Sequence, residues 1–148
     1  MEERYHAFTL LIASLNRNIR RIKTDTMTRF HLKSQHVSCI YYLYRAKSLT
    51  ATELCEISGQ DKANLSRSVD YLEKNGFLVC KTKEQKRYKS PLELTPMGDE
   101  VGRYLCARMD EVLSCASEGL SEENRQIMYD GLATINENLR KIHEQYTH

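Results

Sequence analysis

The 148-residue sequence predicts a mainly α-helical fold, with two closely spaced helices and a small β-hairpin in the middle and long helices at both ends. Three observations predict it. Apolar residues recur every three or four positions over most of the chain, the mark of amphipathic helices. The central stretch ATELCEISGQDKANLSRSVDYLEKNGF carries two helix starts and two glycine stops in quick succession. Directly after it, FLVCKTK and RYKSPLEL change to short segments of strand-like composition.

The first helix is expected from residue 4 to about 30, where Phe8, Leu11, Ile12, Leu15, Ile19 and Ile22 keep helical spacing. A second covers roughly residues 35–45 through Val37, Ile40, Tyr41 and Tyr44, and the Ser48-Leu49-Thr50 break ends it. Thr50-Ala51-Thr52-Glu53 fits a capping box, in which the threonine oxygen accepts a backbone N–H and the glutamate reaches back to the cap. It opens a short helix, Ala51–Ser58, stopped by Gly59, a residue suited to the left-handed C-terminal position. Asp61 is a fresh N-cap, opening a helix over residues 62–75 that Gly76 terminates, with Leu65, Val69 and Leu72 as its buried stripe.

The polar Glu84-Gln85-Lys86 separates the two strand-like segments as a hairpin tip, and Pro91 predicts that the second strand is an edge or irregular one. Thr95-Pro96 supplies an N-cap followed by proline at the first helical position. The helix it opens has the stripe Val101, Tyr104, Leu105, Met109, Val112 and Leu113; a last helix from near Ser121 has Ile127, Met128, Ile135, Leu139, Ile142 and Tyr146. A short helix, a tight turn, a longer helix and a basic hairpin make a winged helix-turn-helix. The expected organisation is one domain over residues 1–148, with the winged helix-turn-helix at 34–95 and a helical dimerisation region at 1–33 and 96–148. The terminal helices lack a complete core of their own in a chain this short, which predicts a homodimer.

Composition is that of a globular protein, with 28% charged and 41% hydrophobic residues and few prolines or glycines. No apolar run approaches a membrane span and MEERYHAF lacks the layout of a secretory signal, so a cytoplasmic location is expected. Net charge is only +2, but it is unevenly placed. Arg17, Arg20, Arg21, Lys23, Arg29 and Lys33 make the first helix basic, and Lys81, Lys83, Lys86, Arg87 and Lys89 crowd one segment around Glu84. From Asp99 onward ten acidic residues face five basic ones.

On the helix after the turn, Lys62, Ala63, Ser66, Arg67 and Asp70 share the outward face, with Asn64 near its edge. Arginine can fork onto guanine and asparagine onto adenine, serine can bond bases or phosphate, and alanine leaves room for a close approach. An isolated helix with such a face would be an ordinary solvated surface; the capping box, turn and basic hairpin around it favour double-stranded DNA. The wing cations Lys81, Lys83, Lys86 and Arg87 suit phosphate, which supplies salt-dependent affinity with little sequence information. Their alternative is a strand edge protected against aggregation.

Leu54-Cys55 before the turn, NLSRSVDYLEKNGFLV over residues 64–79 and LTPMG over 94–98 carry a resemblance that extends over nearly the whole chain. Through them the sequence resembles the multiple-antibiotic-resistance regulator (MarR) family. The resemblance implies a homodimeric winged-helix regulator of bacterial transcription whose terminal helices form the dimer interface and whose DNA is released by small ligands or oxidants. It further implies DNA contacts by Ser66, Arg67 and Arg87. The wing departs from the family's Asp-x-Arg element, having Glu84-Gln85-Lys86-Arg87, which shifts the acidic support for the wing arginine. The expectation is a ligand-responsive homodimeric repressor on a pseudo-palindromic operator. A protein-interaction module on the same fold is the alternative, as is a thiol-based redox-sensing regulator using Cys39.

Five cysteines at irregular spacing, without a C-x-x-C pair, predict reduced thiols rather than a disulfide framework or zinc ribbon. His36, one turn before Cys39, could depress that thiol's pKa if it faced the sulfur, although a buried inert thiol is the plainer expectation. His36, Cys39 and Tyr104 form the candidate effector pocket. No metal or cofactor is expected, and no nucleophile with spaced His and acid, phosphate loop or paired carboxylate suggests an enzyme.

Overall fold

A computed structural model describes residues 2–82 and 89–146. The chain divides into two compact units, Met1–Met109 and Asp110–His148. In the first unit, α1 (Glu2–Met27) passes through a 3-10 turn (Thr28–Phe30) into α2 (Ser34–Ala46). Then follow β1 (Leu49–Thr50), α3 (Ala51–Ser58), α4 (Lys62–Lys74), β2 (Leu78–Cys80) and β3 (Pro91–Leu94). The helix α5 (Pro96–Ala116) begins in this unit, and α6 (Glu122–Tyr146) belongs to the second.

The helix boundaries follow from their caps. Glu53 N–H donates to Thr50 Oγ1 (3.2 Å) while Thr50 N–H donates to Glu53 Oε2 (2.7 Å), the reciprocal pair of a capping box. Those bonds favour the charged carboxylate and hold Glu53 below its ordinary pKa. Gly59 ends α3 in the left-handed region, φ 66°, and its N–H donates to Cys55 O. Thr95 Oγ1 accepts from Gly98 N–H (3.1 Å) at the start of α5, and Ser121 Oγ accepts from Asn124 N–H (3.2 Å) at the start of α6.

The core of the first unit joins Met27, Ile40, Leu43, Leu54, Leu72, Leu78, Leu92 and Leu105, each almost entirely buried. Burial of this kind stabilises by roughly 1.5–3 kcal/mol per large side chain, before the entropy of ordering is subtracted. Leu65, Val69 and Leu72 are the buried stripe of α4, as their spacing predicts, and Ser68 joins them by donating its hydroxyl to Asn64 O (2.9 Å). In α5 the buried residues are Gly98, Val101, Gly102, Leu105, Cys106 and Met109. Both glycines are close-approach positions: a Cβ on Gly98 would lie 1.9 Å from Phe77 O, and one on Gly102 would lie 2.8 Å from Tyr44 Cβ.

The sheet corrects one expectation. Pro91 opens β3, which is the central strand and not an edge: the order is β1-β3-β2, with Thr50 opposite Pro91, Leu49 opposite Leu92 and Leu78 opposite Leu94. The segment Ser48-Leu49-Thr50, read as a break between helices, thus contributes the third strand. Proline is tolerated because it is the first residue of β3, where its carbonyl accepts from Lys81 N–H (3.0 Å) and its missing N–H interrupts little of the ladder.

In the second unit α6 has no buried residue among those described, and Ile127, Met128, Ile135, Leu139, Ile142 and Tyr146 of its apolar stripe are exposed. The first half of α1 is similar, with Tyr5, Leu10, Leu11 and Leu15 open to solvent. No helix is long and apolar enough to cross a membrane among the described residues.

Candidate nucleic-acid interface

The turn between α3 and α4 is held from below. Cys55 Sγ donates to Gln60 O (2.9 Å), and Gln60 Nε2 donates to Gln35 O (3.2 Å) and toward Cys39 Sγ (3.7 Å), tying the turn to α2. This fixes the angle at which α4 leaves α3. Asp61 then caps α4, its Oδ1 accepting from Asn64 N–H (2.8 Å). With Leu65, Ser68, Val69 and Leu72 turned inward, Lys62, Ala63, Ser66, Arg67 and Asp70 stand exposed and Asn64 is half-buried. The face predicted to read bases is therefore the face presented to solvent. Asn64 itself is already engaged: its Nδ2 donates to Asp61 Oδ2 (2.7 Å) and its Oδ1 accepts from Arg67 Nη2.

A cleft of about 540 Å³ lies beside this face, floored by Ala51, Cys55, Leu65, Val69 and Leu92, with Lys62 and Ser66 also on its wall. Of the wing cations, Lys81 is described and exposed, and its Nζ pairs with Glu93 Oε2 at 2.9 Å. Such a pair at the surface contributes little to stability and leaves the cation in solvent. Lys83, Lys86 and Arg87 lie outside the described residues. The hairpin's described ends are clasped by Ser90, fully buried, whose Oγ accepts from Thr82 N–H (3.1 Å) and donates to Thr82 O (2.8 Å).

A model of the MarR family matches residues 32–87, the span that holds α2, β1, the helix-turn-helix and β2. The uncharacterized HTH-type transcriptional regulator YfiV of Bacillus subtilis (strain 168) is 29% identical over 97 residues, 64% of this chain. The match spans 61% of that relative's length. Staphylococcus aureus MarR, solved in complex with salicylate and kanamycin, has a similar fold at TM-score 0.79, with 16% identity and 93% of each chain covered. So does a MarR-family regulator from Listeria monocytogenes complexed with 26mer DNA, at TM-score 0.77 and 21% identity, covering 86% of this chain and 85% of that one. The chain thus matches the MarR family over residues 32–87 and has a MarR-like fold.

In this MarR-like fold, of the three candidate effector residues only Tyr104 lines either of two clefts among the described residues. His36 is buried, its ring stacked on Tyr71 of α4 (centroids 4.1 Å apart, planes parallel), and its Nδ1 accepts from Lys33 N–H (3.1 Å). Cys39 is fully buried beside Gln60, and burial pushes its thiol up to about 11. It is therefore protonated at neutral pH, the condition of an inert core thiol and not of a sensor. Tyr104 stands apart on α5, under the Arg29 guanidinium (4.0 Å to the ring centroid) and edge-on to Phe30. It lines a second cleft, about 430 Å³, with Arg29, Phe30, Phe77, Met97 and Arg103.

The structure also brings out residues that sequence reasoning missed. Tyr71 donates its hydroxyl to His31 O (3.0 Å) while its ring carries His36, so the back of α4 is tied to the segment joining α1 and α2. Aromatic spacing alone could not pair them. Burial, then the nearby Lys33 charge, holds His36 below its ordinary pKa. Between that lowered value and the ordinary 6.5, the unfolded chain binds a proton that the folded chain refuses, so stability falls as pH drops below about 6.5. The expected result is a melting temperature that declines between pH 7.5 and 5.5 in the native protein. The decline is shallower in His36→Asn, whose side chain does not titrate; an equal slope in the variant refutes the assignment.

Proposed function

We propose that this chain is a MarR-family, sequence-specific double-stranded DNA-binding regulator of transcription. It works as a homodimer that represses from a pseudo-palindromic operator and releases DNA when a small effector binds. The exposed face of α4, with Lys62, Ala63, Ser66 and Arg67 free of the core, carries the reading. α4 enters the major groove, with Ser66 and Arg67 at base edges and Lys62 near phosphate. The wing cations Lys81, Lys83, Lys86 and Arg87 supply backbone attraction. A similarly folded relative complexed with 26mer DNA supports this use of the fold.

Dimerisation is supported by the exposed apolar residues of α1 and of α6, each of which needs a covering surface that a second copy can provide. Effector control is supported by the salicylate held by a relative, and the cleft at Tyr104, where Arg29 and Arg103 outnumber Glu100 beside Phe30, Phe77 and Met97, suits a small anion with an apolar body. Such a molecule acts only if it binds the DNA-competent and released conformations with different affinity.

Selection of bound sequences from a random duplex pool tests the proposal. The expected winner is an inverted repeat whose half-sites lie about one helical turn apart, bound with affinity that falls steeply with salt. No enrichment, together with salt-insensitive binding, would overturn it.

A further inference from the structure

On the α4 face, the side chain of Asn64 is engaged at both of its amide atoms. Its amide nitrogen donates to Asp61 Oδ2, three residues earlier, at 2.7 Å, and its amide oxygen accepts from Arg67 Nη2, three residues later. A bidentate contact with adenine uses an asparagine's nitrogen as donor and its oxygen as acceptor together. Both atoms already have partners here, each a charged group that makes a stronger hydrogen bond than a neutral one would. The amide orientation is set from the cap: Asp61 receives the Asn64 backbone N–H on Oδ1 (2.8 Å) and the amide N–H on Oδ2, which turns the carbonyl toward Arg67.

Building on the DNA-binding reading above, we propose that Asp61, Asn64 and Arg67 form a relay in which Asn64 is a positioning residue for the Arg67 guanidinium and does not itself read a base. The hydrogen bond spends one of the five guanidinium donors, leaving enough for a two-donor fork onto guanine. An arginine side chain otherwise samples many rotamers, and holding it in place before DNA arrives reduces what must be ordered on binding. Asp61 thereby serves two ends, starting the helix and orienting the arginine through the amide. The acidic residue at the start of a helix that faces DNA, otherwise a liability beside phosphate, has both carboxylate oxygens engaged by Asn64.

The test uses the duplex selected by the wild-type protein and its single-base-pair variants, with Asn64→Ala, Arg67→Ala and the double variant. Alanine keeps the backbone N–H bonded to Asp61, so α4 still starts correctly. Thermal melting of each variant confirms it. The relay predicts that Asn64→Ala weakens base preference by about tenfold at the same base pair that Arg67→Ala affects, through lost pre-organisation. It also predicts that adding Asn64→Ala to Arg67→Ala changes nothing further. Relaxation at a different, A·T pair, or a full effect of Asn64→Ala in the Arg67→Ala background, would show direct reading and overturn the relay. So would an equal loss on every duplex accompanied by a lowered melting temperature. Failure of the DNA-binding reading is separate and visible in the wild type, which would then select no duplex.

Discussion

Replacing Gly98 by alanine is expected to destabilise the protein by about 3 kcal/mol or more, at the upper end of overpacking effects. The added Cβ would sit 1.9 Å from Phe77 O and 2.9 Å from Phe77 C, both backbone atoms, and 3.2 Å from Leu94 Cδ2. No rotamer change relieves a clash with backbone. The Phe77 carbonyl is also the acceptor for Thr95 N–H (3.0 Å), and Thr95 Oγ1 both donates to Gly76 O and caps α5 at Gly98 N–H. Moving α5 away from the end of β2 therefore breaks its own start. For a chain of this size the loss corresponds to a melting temperature roughly 10 °C lower, read by calorimetry or urea denaturation. A variant that melts within about 2 °C of the wild type would show that the first turn of α5 shifts without cost.

Arg67→Ala is expected to reduce preference for the selected duplex over a random one by about 10- to 100-fold, the 1–3 kcal/mol range of a bidentate base contact. Stability should barely change, since Arg67 is exposed and outside the core. Lys83→Ala, read from the sequence as a wing phosphate contact, should instead weaken both duplexes alike and lower the salt slope by about one counterion. Competition binding at several salt concentrations separates the two effects. The reverse pattern would exchange the roles assigned to helix and wing.

These two variants differ in how visible their positions are in the sequence. Arg67 can be placed on the outward face from the spacing of Leu65, Val69 and Leu72 alone, because a helix of known start and period leaves no freedom in what faces out. Gly98 lies in the LTPMG block, but nothing in its neighbours says that a backbone carbonyl twenty-one residues earlier, just before β2, presses against it. The same limit applies to Leu49-Thr50: two residues carry no periodicity, and only their pairing with Leu92 and Pro91 makes them a strand and moves Pro91 to the sheet centre.

By itself the sequence determined the helix boundaries from Thr50 to Gly76, the N-cap at Thr95, the start of the last helix near Ser121, the outward face of α4 and the family resemblance. All of these are recorded within a few residues, since a cap, a left-handed glycine or an amphipathic stripe acts through neighbours three or four positions away. Tertiary structure alone decided that β3 is central, that His36 stacks on Tyr71 while Tyr104 joins Arg29 and Phe30, and that Gly98 and Gly102 are pressed by Phe77 and Tyr44. Each of those depends on which distant segments meet, and side-chain chemistry constrains what a residue can do at a contact without specifying which partner the folded chain brings to it.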